Sequence, residues 1–188
     1  MERKYAWHNY DDATMEKVYA LSDTYRQFLD NGKTERECVV QAVEFAEAKG
    51  YVNLNDIIKS NTSIKAGDKI YYTHMDKSIA LFNIGTNDIE LGMNILGAHI
   101  DSPRIDVKQN PQYEDSNLVF WDTHYYGGIK KYHWVAMPLA IHGVVVKTDG
   151  TRININIGDK ESDPVFCITD LLPHLGQEQM QKNAAKVI

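Results

Sequence analysis

Between residues 13 and 29, apolar and aromatic side chains fall at Met15, Val18, Tyr19, Tyr25, Phe28 and Leu29, a spacing that sets them along one face of a helix. Asn31-Gly32 ends that helix. Thr34-Glu35-Arg36-Glu37 opens the next as a capping box, in which hydroxyl and carboxylate each satisfy the other residue's backbone amide. Val39, Val40, Val43, Phe45 and Ala46 continue it toward Gly50, and both stripes predict buried packing faces. Past Ala66-Gly67-Asp68 the period shortens. Residues 70–75, 78–84 and 93–99 are β-branched or aromatic runs separated by turn residues such as Gly85-Thr86-Asn87-Asp88. The last run is almost continuously apolar and predicts a strand covered on both faces.

After Pro111 the pattern becomes one of strands alone, at 119–121, 135–146 and 151–157. The final run, Thr-Arg-Ile-Asn-Ile-Asn-Ile, alternates with period two and predicts a half-exposed antiparallel strand. Asp149-Gly150 is placed to join it to residues 144–147 as a hairpin. The change of character near residue 105 marks a boundary, and the polar stretch 107–117, with Pro111, reads as the crossover. An α/β segment is thus followed by a β-rich one, without internal repeats.

Composition narrows the class. The chain has 188 residues, 43% hydrophobic and 24% charged, with a formal charge of −6. This is a globular composition, long enough to bury roughly 70% of its unfolded surface. The acidic balance argues against nucleic acid as a general partner. The richest apolar run, 134–146, is interrupted by Pro138, His142 and Gly143, so no membrane span is expected. The first eight residues lack the apolar region of a secretory signal. Cys38 and Cys167 form no CxxC pair, as expected of two free thiols in the cytoplasm.

Among seven histidines, His99 stands apart because Asp101 follows it as His-x-Asp at the end of an apolar run. Residues i and i+2 of an extended chain share a side, so Asp101 could fix the ring of a metal-ligating His99. One His cannot hold zinc, which takes three or four protein ligands. His124-Tyr-Tyr-Gly-Gly lacks the glycine spacing of a phosphate loop and reads as a turn flanked by strand aromatics. In Asp170-Leu-Leu-Pro-His174-Leu175, a rigid proline holds a histidine beside leucines.

These residues carry a family resemblance. Gly97-Ala-His-Ile-Asp-Ser-Pro-Arg104, Asn110–Ser116 (Asn-Pro-Gln-Tyr-Glu-Asp-Ser), the stretch 124–134, Pro138-Leu-Ala-Ile-His-Gly-Val-Val-Val146 and the stretch 163–175 resemble, in that order, the aspartyl aminopeptidase and vacuolar aminopeptidase I family of zinc metallopeptidases, nearest its bacterial branch. The resemblance implies an α/β catalytic domain interrupted by a β-rich lid or dimerisation domain. Residues 1–105 would be the N-terminal part of the former, and 106–188 the first part of the latter. It implies that His99 is a metal ligand and that Asp101 orients it and supports catalysis. His174 is implied either as a further metal ligand or as a residue facing a neighbouring subunit's site. The implied cofactor is zinc, two ions per complete site, and the implied activity is removal of N-terminal residues from peptides by metal-activated water. Peptide substrates and a homo-oligomer would be the partners. Family members are more than twice this length, and most of their ligands and the general-base Glu have no counterpart here, which implies a chain inactive alone. The alternative is a non-catalytic assembly module derived from the same family.

Overall fold

The structure, a computed structural model, describes residues Lys4–Ile188. The first three residues of the stretch read above for a signal lie outside it. The chain divides into two compact units, one ending at Asp101 and the other running from Ser102 to Ile188.

In the first unit, α1 spans Asp12–Asn31 and α2 spans Glu35–Ala48. The Asp11 carboxylate accepts the Thr14 amide at 2.8 Å, capping the orphan donors of α1. At α2 the capping box is complete. Thr34 Oγ1 accepts the Glu37 amide at 3.3 Å, and Glu37 Oε2 accepts the Thr34 amide at 2.9 Å. Gly32 between the helices is required by close approach: a Cβ there would lie 2.9 Å from the Phe28 carbonyl oxygen, the Cys38 sulfur and the Gln41 side chain alike. Phe28 of α1 stacks on Phe45 of α2 with centroids 6.4 Å apart.

A short strand β1 (Val52–Asn53) leads into α3 (Leu54–Lys59), followed by β2 (Lys69–His74) and β3 (Ser78–Asn83). The sheet order is β1-β2-β3, with β1 parallel to β2 and β3 antiparallel to it, Tyr71 facing Leu81. Cys38, Val39 and Ala46 of α2 and Ile70 and Tyr71 of β2 are the buried hydrophobic side chains among the described residues. Burial, then the charges of Glu37 and Glu35, push the Cys38 thiol above its ordinary range, in keeping with an unreactive sulfur. The Tyr71 hydroxyl donates to Glu47 at 2.6 Å and ties α2 to the central strand. Arg36 reaches from α2 to the Met75 carbonyl at 2.9 Å, clasping a β2–β3 turn in which Met75 and Asp76 both take positive φ.

Two expectations are corrected in this unit, and one step was not expected. Neither stripe is buried throughout: in α1, Met15, Val18 and Phe28 are half-buried while Tyr19, Tyr25 and Leu29 are exposed, and in α2, Val40 and Phe45 are exposed although Val39 and Ala46 are buried. Residues 93–99 form no strand, because no described strand lies alongside to pair with their backbone. The β1–α3 step was not foreseen, since two strand residues and one and a half helical turns leave no periodic signal.

In the second unit, β4 (Arg104–Asp115) and β5 (Leu118–Tyr126) form an antiparallel hairpin, and β6 (Ile141–Val146) and β7 (Arg152–Ile157) another. The expected crossover at 107–117 is therefore mostly strand. It pairs through its backbone despite polar side chains, and the register shift between Val107 and Gln112 accommodates Pro111, whose ring nitrogen has no proton to donate. The expected strand 135–146 begins only at Ile141. Val135 and Leu139 make isolated bridges to Ile168 and Phe166 instead. Phe166 stacks on Trp121 at 5.2 Å, joining that segment to β5. The hairpin at Asp149-Gly150 forms as expected, with Gly150 at φ +85° and the Asp149 carboxylate accepting the Thr151 amide at 2.8 Å. The strand before it, β6, and β7 are part-exposed along their length. A short helix α4 (Gln177–Met180) follows. No helix among the described residues is long and apolar enough to cross a membrane.

Tyr71→Phe removes a hydrogen bond to a charged acceptor and is expected to cost about 2 kcal/mol in urea unfolding at neutral pH. Its hydrogen bond to Glu47, then burial, raise the Tyr71 pKa above the usual phenol value. A raised folded-state pKa means that this stabilisation is complete below the unfolded phenol's ~10 and is lost as pH rises through the folded value. The wild-type chain should therefore lose stability more steeply than Tyr71→Phe when titrated above pH ~10. Thr34→Ala, which removes half of the capping box, should cost about 1 kcal/mol by the same measurement.

Candidate metal-ligand site

His99 and Asp101 lie in the irregular segment that closes the first unit. The two residues meet across one intervening residue. His99 Nδ1 stands 3.0 Å from the Asp101 carbonyl oxygen and 3.2 Å from its carboxylate Oδ1. Both neighbours are acceptors, so Nδ1 carries the proton and donates it to them. That assignment leaves Nε2 with its lone pair, the form in which imidazole ligates a metal. The His99 side chain is 84% exposed, so Nε2 is open to a ligand, while Asp101 is 37% exposed. A carboxylate behind the imidazole restricts the ring's rotation.

His174 lies in the second unit, exposed, within a turn that sends the Leu175 and Gly176 amides back to the Leu172 carbonyl at 2.9 Å each. Asp170 serves this turn, accepting the Leu171 amide at 2.8 Å and the Gln179 side chain at 2.9 Å. No group of three or more His, Cys, Asp or Glu side chains suited to a metal ion occurs among the described residues. The His99–Asp101 pair thus fits zinc as a single ligand with its orienting carboxylate, but the described residues do not make a closed site.

A second His–Asp pair has no local sequence signature. His142 on β6 has only 9% of its side chain exposed, and its Nε2 meets Asp159 Oδ1 at 3.2 Å. Asn156, directly opposite His142 in the β6–β7 register, donates to Asp159 Oδ2 at 3.0 Å. Cross-strand pairing, not spacing, assembles this group, and its enclosure suits it to bracing the hairpin. The glycines after β5 form a turn, with Gly127 at φ +72°, where a Cβ would lie 3.4 Å from the Pro103 Cα.

The comparisons with known proteins agree on the class. The sequence model of the family described as "Aminopeptidase I zinc metalloprotease (M18)" matches residues 28–187. A "Probable M18 family aminopeptidase 1" from Clostridium acetobutylicum is 52% identical over 187 residues, covering 100% of this chain and 40% of the relative. Its counterpart from Thermotoga maritima is 46% identical over 182 residues, covering 95% of this chain and 38% of the relative. Among solved structures, aminopeptidase I from Clostridium acetobutylicum superposes with a TM-score of 0.85 at 50% identity, over 100% of this chain and 41% of that one. The enzyme of this family from Thermotoga maritima gives a TM-score of 0.87 at 44% identity, over 99% of this chain and 39% of that one. The fold is that of a zinc metallopeptidase, mixed in helix and sheet. The chain belongs to the aminopeptidase I zinc metalloprotease family, and spans about two fifths of the length of the curated relatives it matches.

The tautomer of His99 is directly measurable. Long-range 1H–15N correlation spectra of the chain at pH 8 should show His99 mainly as the Nδ1–H form. Asp101→Ala should shift it toward the Nε2–H form that an unconstrained imidazole prefers. An Nε2–H ring in the wild-type chain would overturn the assignment.

Proposed function

We propose that the chain is the N-terminal part of a metal-dependent aminopeptidase that removes N-terminal residues from peptides. The observation that carries this reading is the His99 imidazole, its Nδ1 proton held by Asp101 and its Nε2 open, in a member of a zinc metalloprotease family. We assign residues 1–105 to the start of the catalytic α/β domain and 106–188 to the first part of a β-rich lid or dimerisation domain. Zinc is the metal the family description supports, and two ions per complete site is our reading. Held by His99 and by ligands outside this chain, zinc would supply Lewis-acid activation of water for attack on the first peptide carbonyl.

Asp101 keeps the proton on Nδ1 and the ring in one orientation throughout, so that His99 presents the same nitrogen in every turnover. His174 belongs to the lid portion in this assignment, either as a further metal ligand or facing a neighbouring subunit's site in a homo-oligomer. Neither residue can accept the proton that the attacking water must lose, since His99 would be committed to the metal and Asp101 to His99. That proton needs a base the described site does not offer, so the isolated chain should not turn over. The cytoplasm is the compartment we assign, in keeping with two free cysteines. A second reading, an assembly module without catalysis, is favoured by the apolar residues that the β4–β5 hairpin leaves exposed, among them Val119, Trp121 and Tyr125.

Purified and supplied with zinc, the isolated chain should release no amino acid from peptides and should lose its zinc on dialysis. Brisk hydrolysis abolished by His99→Ala would overturn the claim that further ligands and a base are required. In an enzyme completed by the remainder of a relative, Asp101→Ala should lower zinc affinity or turnover roughly 10–100-fold. An unchanged enzyme would remove Asp101 from the site. A completed chain that assembles fully but never hydrolyses peptides would favour the module.

A further inference from the structure

His99 Nδ1 has two acceptors in Asp101, and the backbone carbonyl oxygen, at 3.0 Å, is nearer than the carboxylate, at 3.2 Å. That carbonyl belongs to the peptide joining Asp101 to Ser102, so whatever holds this peptide helps to orient the ring. The chain leaves it through Ser102-Pro103, a stiff step. Proline fixes its own φ and biases the residue before it toward extended conformations. The far end of the step is anchored in the β4–β5 hairpin. Arg104 is the first residue of β4 and faces Tyr126, the last of β5. Its guanidinium lies 4.1 Å from the centroid of the Tyr126 ring, and its Nε donates to Asp106 Oδ1 at 2.7 Å. Its Nη1 is turned back toward the Ser102 carbonyl oxygen, 3.5 Å away. On the other side of the step, Gly127 follows Tyr126 at φ +72°, and a Cβ there would meet Pro103 at 3.4 Å. The Arg104 side chain is only 27% exposed, so these contacts enclose it.

We propose that Arg104 is a positioning residue for the His99–Asp101 pair, seating Ser102-Pro103 on the hairpin so that the Asp101 carbonyl stays against His99 Nδ1. The proposal rests on the functional reading above and gives the imidazole a backbone device beside the Asp101 carboxylate. The carboxylate reaches Nδ1 through its own side-chain torsions. The carbonyl reaches it through the backbone that Arg104 anchors. Stacking on Tyr126 and the charged hydrogen bond to Asp106 fix the plane of the guanidinium, which leaves its far edge aimed at Ser102. Only a planar fork can lie on a ring while its edge serves two oxygens. A lysine ammonium carries the same charge without that plane, so charge alone does not perform this role.

The test reads the His99 tautomer by long-range 1H–15N correlation in the isolated chain at pH 8, where neither zinc nor turnover enters. Arg104→Ala should lower the ratio of the Nδ1–H to the Nε2–H form by roughly 2- to 10-fold, the range for one weakened hydrogen bond. Made in an Asp101→Ala chain, which keeps the backbone carbonyl, it should lower the ratio further. Arg104→Lys should behave like Arg104→Ala, and Tyr126→Leu should move the ratio in the same direction. Lys108→Ala breaks the Lys108–Asp122 pair, 3.6 Å apart on the same hairpin, and should leave the ratio unchanged. If Arg104→Ala unfolds the hairpin, Arg104→Lys and Tyr126→Leu decide. A ratio unmoved by the Arg104 variants, restored by lysine, or moved equally by Lys108→Ala overturns the proposal. In an enzyme completed by the remainder of the Clostridium acetobutylicum relative, Arg104→Lys should lower kcat about 10-fold with KM unchanged. Shifted tautomers in a completed enzyme that never hydrolyses peptides support the positioning role and sink the functional reading. Hydrolysis with unmoved tautomers does the reverse.

Discussion

Helix α2 and the central strand β2 hold between them the buried hydrophobic side chains of the first unit, with Cys38, Val39 and Ala46 on one side and Ile70 and Tyr71 on the other. The rest of that unit depends on this contact. The capping box fixes where α2 begins, and Gly32 lets α1 turn back close to it. The hydrogen bond from Tyr71 to Glu47 gives the contact a polar latch at its edge. Arg36, in the first turn of the same helix, holds the β2–β3 turn in a conformation that Met75 and Asp76 would not choose alone. So few buried side chains stabilise a unit of this length only modestly. The apolar surface left over is a structural fact as informative as the core itself.

The second unit relies on a different balance. Its strands pair as two hairpins, and two-stranded ribbons are marginal unless something packs on them. Aromatic stacking supplies part of that packing, through Tyr113 on Phe120 and Trp121 on Phe166, and Arg104 lies 4.1 Å above the Tyr126 ring. The enclosed His142, with Asp159 and Asn156, pins β6 to β7 and to the turn after it. Trp121 on Phe166 apart, these are contacts along hairpins rather than between layers. The outer faces, with Val119 and Val146 among them, stay open.

Local chemistry was legible in the sequence and long-range chemistry was not. The capping box, the end of α1 at Asn31-Gly32 and the Asp149-Gly150 turn each follow from residues within four positions of one another. So does the meeting of His99 with Asp101. The stretch 107–117 read as a crossover because polar side chains suggest a linker, whereas β4 is held by backbone pairing that side-chain pattern does not report. The group around His142 escaped notice because Asp159 comes to it only through hairpin register. Residues 93–99 failed in the opposite sense. Their pattern predicts a covered strand, whereas no described strand lies alongside them and Ile95 and Leu96 are exposed.

That distinction explains why the described residues hold an oriented histidine but no cluster of three metal-ligating side chains. Orientation by Asp101 is a two-residue matter, because backbone and carboxylate both act across one intervening residue. Coordination by three or more donors is not local. It requires elements distant in sequence to converge within a few tenths of an ångström on a rigid support. In this chain the local half of the requirement is met while the packing half is not. An exposed imidazole with a free Nε2 still attracts a metal, but a single ligand gives little selectivity and little retention.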